Sequence, residues 1–262
     1  MNRLDKFLVE KGLVETRTKA QELISSGAVE VDGKIQTKLS YSVCEDATIK
    51  ILNTEVLKYV SRGGFKLEKA LNVFNIDLNN KVILDIGSST GGFTDCAIQH
   101  GAKKVIAVDV GTDVMHKSLR ENLKVELHEN TNIKDLSHEK FLGVDLVVVD
   151  VSFVSLERIV EKVSCENVEV DMICLIKPQF ECGKEIATKY GGVIKSKTVH
   201  KDVLNKVIKF FNKNNFYLLG LDFSPIKGGD GNIEYISHFS NKIDNNFNVD
   251  IDKIVNVAFN PK

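Results

Sequence analysis

No stretch of this chain approaches the ~18 consecutive apolar residues that a membrane-spanning helix needs. The opening segment MNRLDKFLVEKG is charged and helix-like, unlike a secretory signal. Neither a span nor a signal peptide is therefore expected, and the chain reads as cytoplasmic. The five cysteines, Cys44, Cys96, Cys165, Cys174 and Cys182, form no CxxC pair, and their odd number leaves one over in any disulfide scheme. Reduced thiols without assigned chemistry are the expectation. The six histidines lack metal-ligand spacing, so no metal is expected. Charge of one sign is lacking too: the net charge of −1 does not announce nucleic acid. Internal repeats and low-complexity tracts are absent. So is the G-x-G-x-x-G loop that packs around a pyrophosphate, which argues against a nicotinamide enzyme.

What the chain does contain is VILDIGSSTGGF at residues 82–93. Val82, Ile83, Leu84 and Ile86 suit a fully buried strand. Gly87, Gly91 and Gly92 then allow a sharp turn and close approach to a ligand. From Phe93 onward, FTDCAIQH reads as a helix whose free N–H groups and positive dipole end face that bend. A second apolar run, Val105–Val110, contains Asp109, placed to accept both hydroxyls of a ribose. The carboxylate of Asp85 would repel a pyrophosphate but suits a cationic amino-acid ligand. S-adenosylmethionine, with sulfonium, ammonium and ribose, matches Asp85 and Asp109. The plainer reading is a tight strand-to-helix turn in some other α/β domain.

Residues 1–52 differ in texture from the rest of the chain. Leu4, Phe7 and Leu8 share one helical stripe, and Ala20, Leu23 and Ile24 share another, with Gly12 and Gly27 at the expected stops. Strand-like pieces come next at 28–31 and 48–52, with Asp32-Gly33 as a turn signal. This predicts a small α+β unit, then a connector within 53–64. From Lys81 strands and helices alternate. Strands are expected at 82–86, 105–110, 125–127, 146–150, 172–176, 217–223 and 233–237, with helices over 156–163 and 199–211. That alternation predicts a parallel sheet covered on both faces. SPIKGGDGN is too short for a crossover helix, so the last strand should be antiparallel. The closing VNVAF reads as strand-like.

Charged residues that close buried apolar runs are candidates for chemistry, because burying a charge is costly without a partner or a task. Asp150 ends LVVVD, and Lys177 ends MICLIK. Glu234 starts the antiparallel strand, so it falls at the same sheet edge, and Lys66 comes just after SRGG where the connector enters the large domain. Any one of these reads as an ordinary rim salt bridge; four of alternating sign beside a ligand loop point to a site. His100, His128 and the lysine-rich 201–213 face read as surface or rim.

The segments RLDKFLVEKGL, TRTKAQELISSGAVEVDGK, YVSRGGFKL, LDIGSSTGGFTDC, AVDVG, VDLVVVDVSF, LIKPQFE with GGV, and SPIKGGDGNIEY run from residue 3 to about 237. Together they resemble the TlyA family, the hemolysin A-type ribosomal RNA methyltransferases related to the FtsJ class. The resemblance implies an α/β fold: a Rossmann-like class I methyltransferase with a mostly parallel sheet, plus a small N-terminal α+β S4-like RNA-binding domain. The expected boundaries are 1–58 for the S4-like domain, 59–65 for a linker and 66–262 for the methyltransferase domain. It also implies a Lys-Asp-Lys-Glu tetrad, falling on Lys66, Asp150, Lys177 and Glu234. The implied reaction is transfer of a methyl group from S-adenosylmethionine to the 2′-hydroxyl of a cytidine in ribosomal RNA. The short termini resemble the type that acts on large-subunit RNA.

A ribose hydroxyl is a poor nucleophile, so the site must remove its proton and align it. Lys177 is the candidate base, with Lys66 holding a phosphate or the developing alkoxide, and Asp150 and Glu234 orienting the lysines. Asp85, Gly87, Ser88, Ser89, Gly91, Gly92, Phe93, Asp109, Asn132 and Asp150 are the expected cofactor residues. Arg3, Lys6, Arg17, Lys19, Lys34, Lys38 and Arg62 are the expected RNA contacts. Residues 1–43 carry seven basic and six acidic side chains, so there the resemblance, not charge, carries the expectation. The alternatives are a non-enzymatic RNA-binding or ribosome-assembly factor, which an intact tetrad and loop oppose, and a membrane-active hemolysin, for which no amphipathic segment stands out.

Overall fold

The computed structural model describes residues 2–260. The chain divides into two compact units, Met1–Val60 and Ser61–Lys262.

The first unit contains β1 (Asn2–Arg3), α1 (Leu4–Glu10), α2 (Arg17–Ser25), β2 (Val29–Val31), β3 (Lys34–Gln36), β4 (Ser42–Val43) and β5 (Ile49–Ile51). Leu4, Phe7 and Leu8 of α1 and Ala20, Leu23 and Ile24 of α2 are buried in one small core with Val29, Val31 and Val43. Thr16 caps α2 by accepting the Lys19 amide, and Gly12 and Gly27 leave the two helices with positive φ. Asp32 and Gly33 both have positive φ, the geometry a two-residue hairpin loop between Val31 and Lys34 requires. β2 sits between β3 and β5, and β1 pairs with β4.

The second unit opens with α3 (Gly63–Phe74) and continues with β6 (Val82–Ile86), α4 (Gly92–Gln99), β7 (Lys104–Val108), α5 (Lys117–Arg120), β8 (Val125–His128) and β9 (Leu146–Val149). Then come α6 (Leu156–Cys165), β10 (Asp171–Ile176), α7 (Pro178–Glu181), α8 (Lys184–Lys189), α9 (Lys197–Lys213), β11 (Tyr217–Phe223), β12 (Tyr235–Ser240) and α10 (Ile251–Phe259). One sheet takes the order β11-β12-β10-β9-β6-β7-β8. β12 runs antiparallel to both neighbours, and the pairings among β6 to β10 are parallel. Near-continuous apolar runs in β6, β7, β9 and β10 are buried, as a sheet covered on both faces demands.

Three expectations need correction. Residues 63–65, read as linker, form the first turn of α3. The second strand stops at Val108 rather than Val110, because the Asp109 carboxylate turns back to accept the Gly111 amide at 2.7 Å and ends the extended run. The closing VNVAF is the end of α10, not a strand. Ile251, Ile254, Val255 and Ala258 repeat at helical spacing, and Asp250 caps the helix by accepting the Lys253 amide. Among the described residues no helix is long and apolar enough to cross a membrane.

Candidate active site

The chain passes from β6 outward through β7 and β8, then returns to β9 on the other side of β6. Such a switch point opens a crevice beyond the carboxyl ends of the two central strands. Gly87 comes directly after β6 there, and Asp150 directly after β9. The two segments lie so close that a Cβ on Gly87 would stand 2.8 Å from the Asp150 carbonyl oxygen and 2.9 Å from Val151 Cγ1. Gly87 also has φ +81°, so this position takes glycine on both counts.

A cavity of about 280 Å³ opens at this point, lined among others by Gly87, Ser89, Asp109, Asn132, Asp150 and Ser152. Asp109 accepts hydrogen bonds from the Ser89 amide at 2.8 Å and the Gly111 amide at 2.7 Å, so the second strand end and the loop are tied together. Asn132 accepts the Lys134 amide and starts a short 3₁₀ turn.

Five of the expected ligand residues lie behind this surface instead of on it. Asp85 is fully buried, and its Oδ2 accepts from the Thr94 hydroxyl at 2.6 Å, fastening α4 to β6. Burial pushes the Asp85 carboxyl up to about 7, helped by the nearby Asp150 and Asp109 charges and opposed by the Thr94 hydrogen bonds. Its Oδ1 and the Ser88 hydroxyl are buried without hydrogen-bond partners among the described residues. Gly91 backs onto Leu119 and Met115, Gly92 onto Ser61 and Gly64, and Phe93 is in the core. These residues shape the turn from within.

Beside the cavity the four strand-edge charges meet. Lys66 Nζ lies 2.7 Å from Glu234 Oε2 and 3.5 Å from Asp150 Oδ2. Lys177 Nζ lies 2.5 Å from Asp150 Oδ1. Lys66, Lys177 and Glu234 are buried, and Asp150 is the partly open member that also faces the cavity. α3 presents Lys66, β9 and β10 deliver Asp150 and Lys177 at their carboxyl ends, and the amino end of β12 delivers Glu234. Burial works against the Lys66 ammonium, but attraction to Asp150 and Glu234 and their hydrogen bonds outweigh it, so its pKa is raised above the ordinary lysine value. Gly228 leaves room for Glu234: a Cβ there would stand 2.6 Å from Oε1.

Sequence reasoning missed Ser152, which accepts from Lys177 Nζ at 3.2 Å, and Gln179, which donates to Glu234 at 3.4 Å. It also missed Phe153, an exposed ring in the left-handed region at φ +63°, packed 4.7 Å from the Phe180 ring centroid. Only proximity to Asp150 and Lys177 in VDVSF and IKPQF could have flagged them, since neither segment shows periodicity.

In the first unit, Arg3 and Arg17 are both held by the buried Asp5 carboxylate, at 3.1 and 2.8 Å, and each remains about half exposed. Burial opposes the Asp5 charge, but hydrogen bonds from Arg3, Gln21 and Arg17 outweigh it and hold the carboxyl well below its usual range. Lys6, Lys34 and Lys38 are exposed, whereas Lys19 is mostly covered and paired with Glu15 at 2.8 Å. In the second unit Arg62 is exposed at the N-cap of α3.

A family model described as FtsJ-like methyltransferase matches residues 59–241, and an S4 domain model matches residues 2–49. The 16S/23S rRNA (cytidine-2′-O)-methyltransferase TlyA of Mycobacterium tuberculosis is 37% identical over 235 residues, 89% of this chain and 87% of the relative. The 23S rRNA (cytidine-2′-O)-methyltransferase TlyA of Campylobacter jejuni subsp. jejuni is 37% identical over 252 residues, 89% of this chain and 97% of the relative. A solved structure described as "Putative hemolysin from Streptococcus thermophilus" is 37% identical, with a TM-score of 0.77, covering 98% of this chain and 95% of that one.

Proposed function

The chain belongs to the FtsJ-like methyltransferase family, and from that premise we propose that it methylates the 2′-hydroxyl of a cytidine ribose in ribosomal RNA. Large-subunit RNA is the first candidate, because 23S rRNA is the substrate common to the names of the two relatives. The observation that carries the reading is the double membership of Asp150. It lines the cavity and forms ion pairs with both lysines, so a ligand in the cavity and the two cations meet at one carboxylate.

S-adenosylmethionine is the methyl donor, and it supplies an electrophilic methyl group on a sulfonium. The residues present fit it. Gly87 makes a cradle that a Cβ would fill, Asp109 presents a carboxylate at the second strand end, and Asn132 offers a side-chain amide at the rim. The orphaned Asp85 Oδ1 and Ser88 Oγ just behind the loop keep polar capacity in reserve for a cationic ligand.

Lys66 is clamped by two carboxylates, and Lys177 by one carboxylate and an uncharged hydroxyl. We therefore assign Lys66 as the permanent cation that stabilises the alkoxide developing on the ribose oxygen, and Lys177 Nζ as the base that takes its proton. Glu234 and Asp150 orient the two ammonium groups. Phe153 offers an aromatic face on which a splayed base can stack, the usual mode for reading unpaired RNA. Arg3, Lys6, Arg17, Lys19, Lys34, Lys38 and Arg62 are assigned to phosphate contacts, which position RNA without reading it.

The test is methyl transfer from labelled S-adenosylmethionine to large and small ribosomal subunits from a strain lacking the gene. Label on a large-subunit cytidine ribose is the expected result. Cofactor binding without label on either subunit or on naked RNA would favour a non-enzymatic RNA-binding factor.

A further inference from the structure

We propose that Ser152 is a positioning residue that fixes the direction in which Lys177 presents its nitrogen lone pair. The inference rests on the assignment of Lys177 as base. Asp150 Oδ1 at 2.5 Å and Ser152 Oγ at 3.2 Å are the oxygen partners of Lys177 Nζ among the described residues. The Phe180 ring is a further neighbour, with its centroid 5.8 Å away. A tetrahedral ammonium has three N–H directions: one is taken by the hydrogen bond to Ser152 Oγ, while the Asp150 carboxylate is held against the nitrogen as an ion pair.

In the neutral amine the hydrogen bond to Ser152 keeps one N–H in place and the Asp150 carboxylate repels the lone pair from its own side, so the lone pair takes the direction that faces neither oxygen. Without the Ser152 hydroxyl, rotation about the Cε–Nζ bond exchanges the lone pair with the second hydrogen at little cost. In the transfer itself, Nζ gains the ribose hydroxyl proton, the oxygen gains the methyl group, and the sulfonium becomes a neutral thioether, so the positive charge passes to Lys177.

The backbone is bent to hold Ser152 there. Phe153 occupies the left-handed region, which costs a non-glycine residue roughly 1–3 kcal/mol and persists only where the surroundings hold it. Its ring packs on Phe180, the same ring that neighbours Lys177, so the 150–153 turn and α7 close around one ammonium group. Ser152 is otherwise exposed and lines the cofactor cavity. A hydroxyl with no structural task at the surface therefore reaches one of the most buried charges of the site.

The experiment compares Ser152→Ala, Ser152→Thr and Lys177→Met in single-turnover methylation of ribosomal RNA, with cofactor affinity by calorimetry and RNA affinity by filter binding. A hydrogen bond of this kind contributes about 1 kcal/mol, so Ser152→Ala should slow the chemical step about five- to tenfold. Both affinities should stay within about twofold of wild type, and Ser152→Thr should restore the rate, since a hydrogen-bond contribution of this size needs only the hydroxyl. An unchanged rate in Ser152→Ala overturns the proposal, as does a loss that tracks weakened cofactor binding or that Thr fails to rescue. A Lys177→Met protein as active as Ser152→Ala would instead overturn the assignment of the base.

Discussion

Asp85→Asn is the perturbation whose effect is tied most directly to the burial of one group. The Asp85 carboxyl is raised from 3.8 to about 7 in the folded protein, chiefly because no water reaches it. A carboxyl whose folded pKa is raised favours folding while protonated. That contribution is complete below the unfolded value near 4 and is lost as pH rises through the folded value near 7. A tenfold change in proton affinity corresponds to about 1.4 kcal/mol, so a rise of roughly 3 in pKa gives a loss on the order of 4 kcal/mol. Asparagine keeps an oxygen for the Thr94 hydroxyl and carries no charge at any pH. The assay is urea unfolding of both proteins at intervals between about pH 4.5 and about pH 8.5. The variant should gain on wild type progressively across that range, by an amount approaching about 4 kcal/mol at the alkaline end. Parallel stability curves would refute the claim that burial of Asp85 raises its pKa beyond what the Thr94 hydrogen bonds offset.

Gly87→Ala places a methyl group 2.8 Å from the Asp150 carbonyl at a left-handed backbone position, so calorimetry should show cofactor affinity reduced at least tenfold. Glu234→Gln removes the carboxylate that holds Lys66 at 2.7 Å, at a position outside the lining of the cavity beside Gly87. Its single-turnover rate should fall about a hundredfold, while cofactor affinity stays unchanged. Lys34→Gln, at an exposed lysine of the first unit, should weaken RNA binding and lower the salt-dependence slope by about 1, measured by fluorescence titration across ionic strengths.

Residues that obey one local rule were legible in the sequence. The Asp32-Gly33 turn, the glycine stops of the two small helices and the loop after β6 all need backbone conformations that few residue types supply. The convergence of Lys66, Asp150, Lys177 and Glu234 was legible because strand polarity sends the carboxyl ends of β9 and β10 and the amino end of β12 to one edge. VNVAF misled because valines alternating with other residues mimic a strand, while the partner positions that make it a helix, Ile251 and Ile254, lie upstream. The depth of Asp85 and Phe93 was not legible either, since composition does not say which side of a turn faces the ligand. Ser152 was invisible because its role depends on a contact with Lys177, 25 residues away in sequence.

The most direct test of the central claim is single-turnover methylation of large-subunit RNA by Lys177→Met, with cofactor and RNA affinities measured on the same preparation. The account predicts that both affinities persist and that ribose methylation falls by a factor of about 10² to 10⁴, the range typical of a general base. Methylation at the wild-type rate by that variant, or label mapping to a base instead of a ribose, would contradict it.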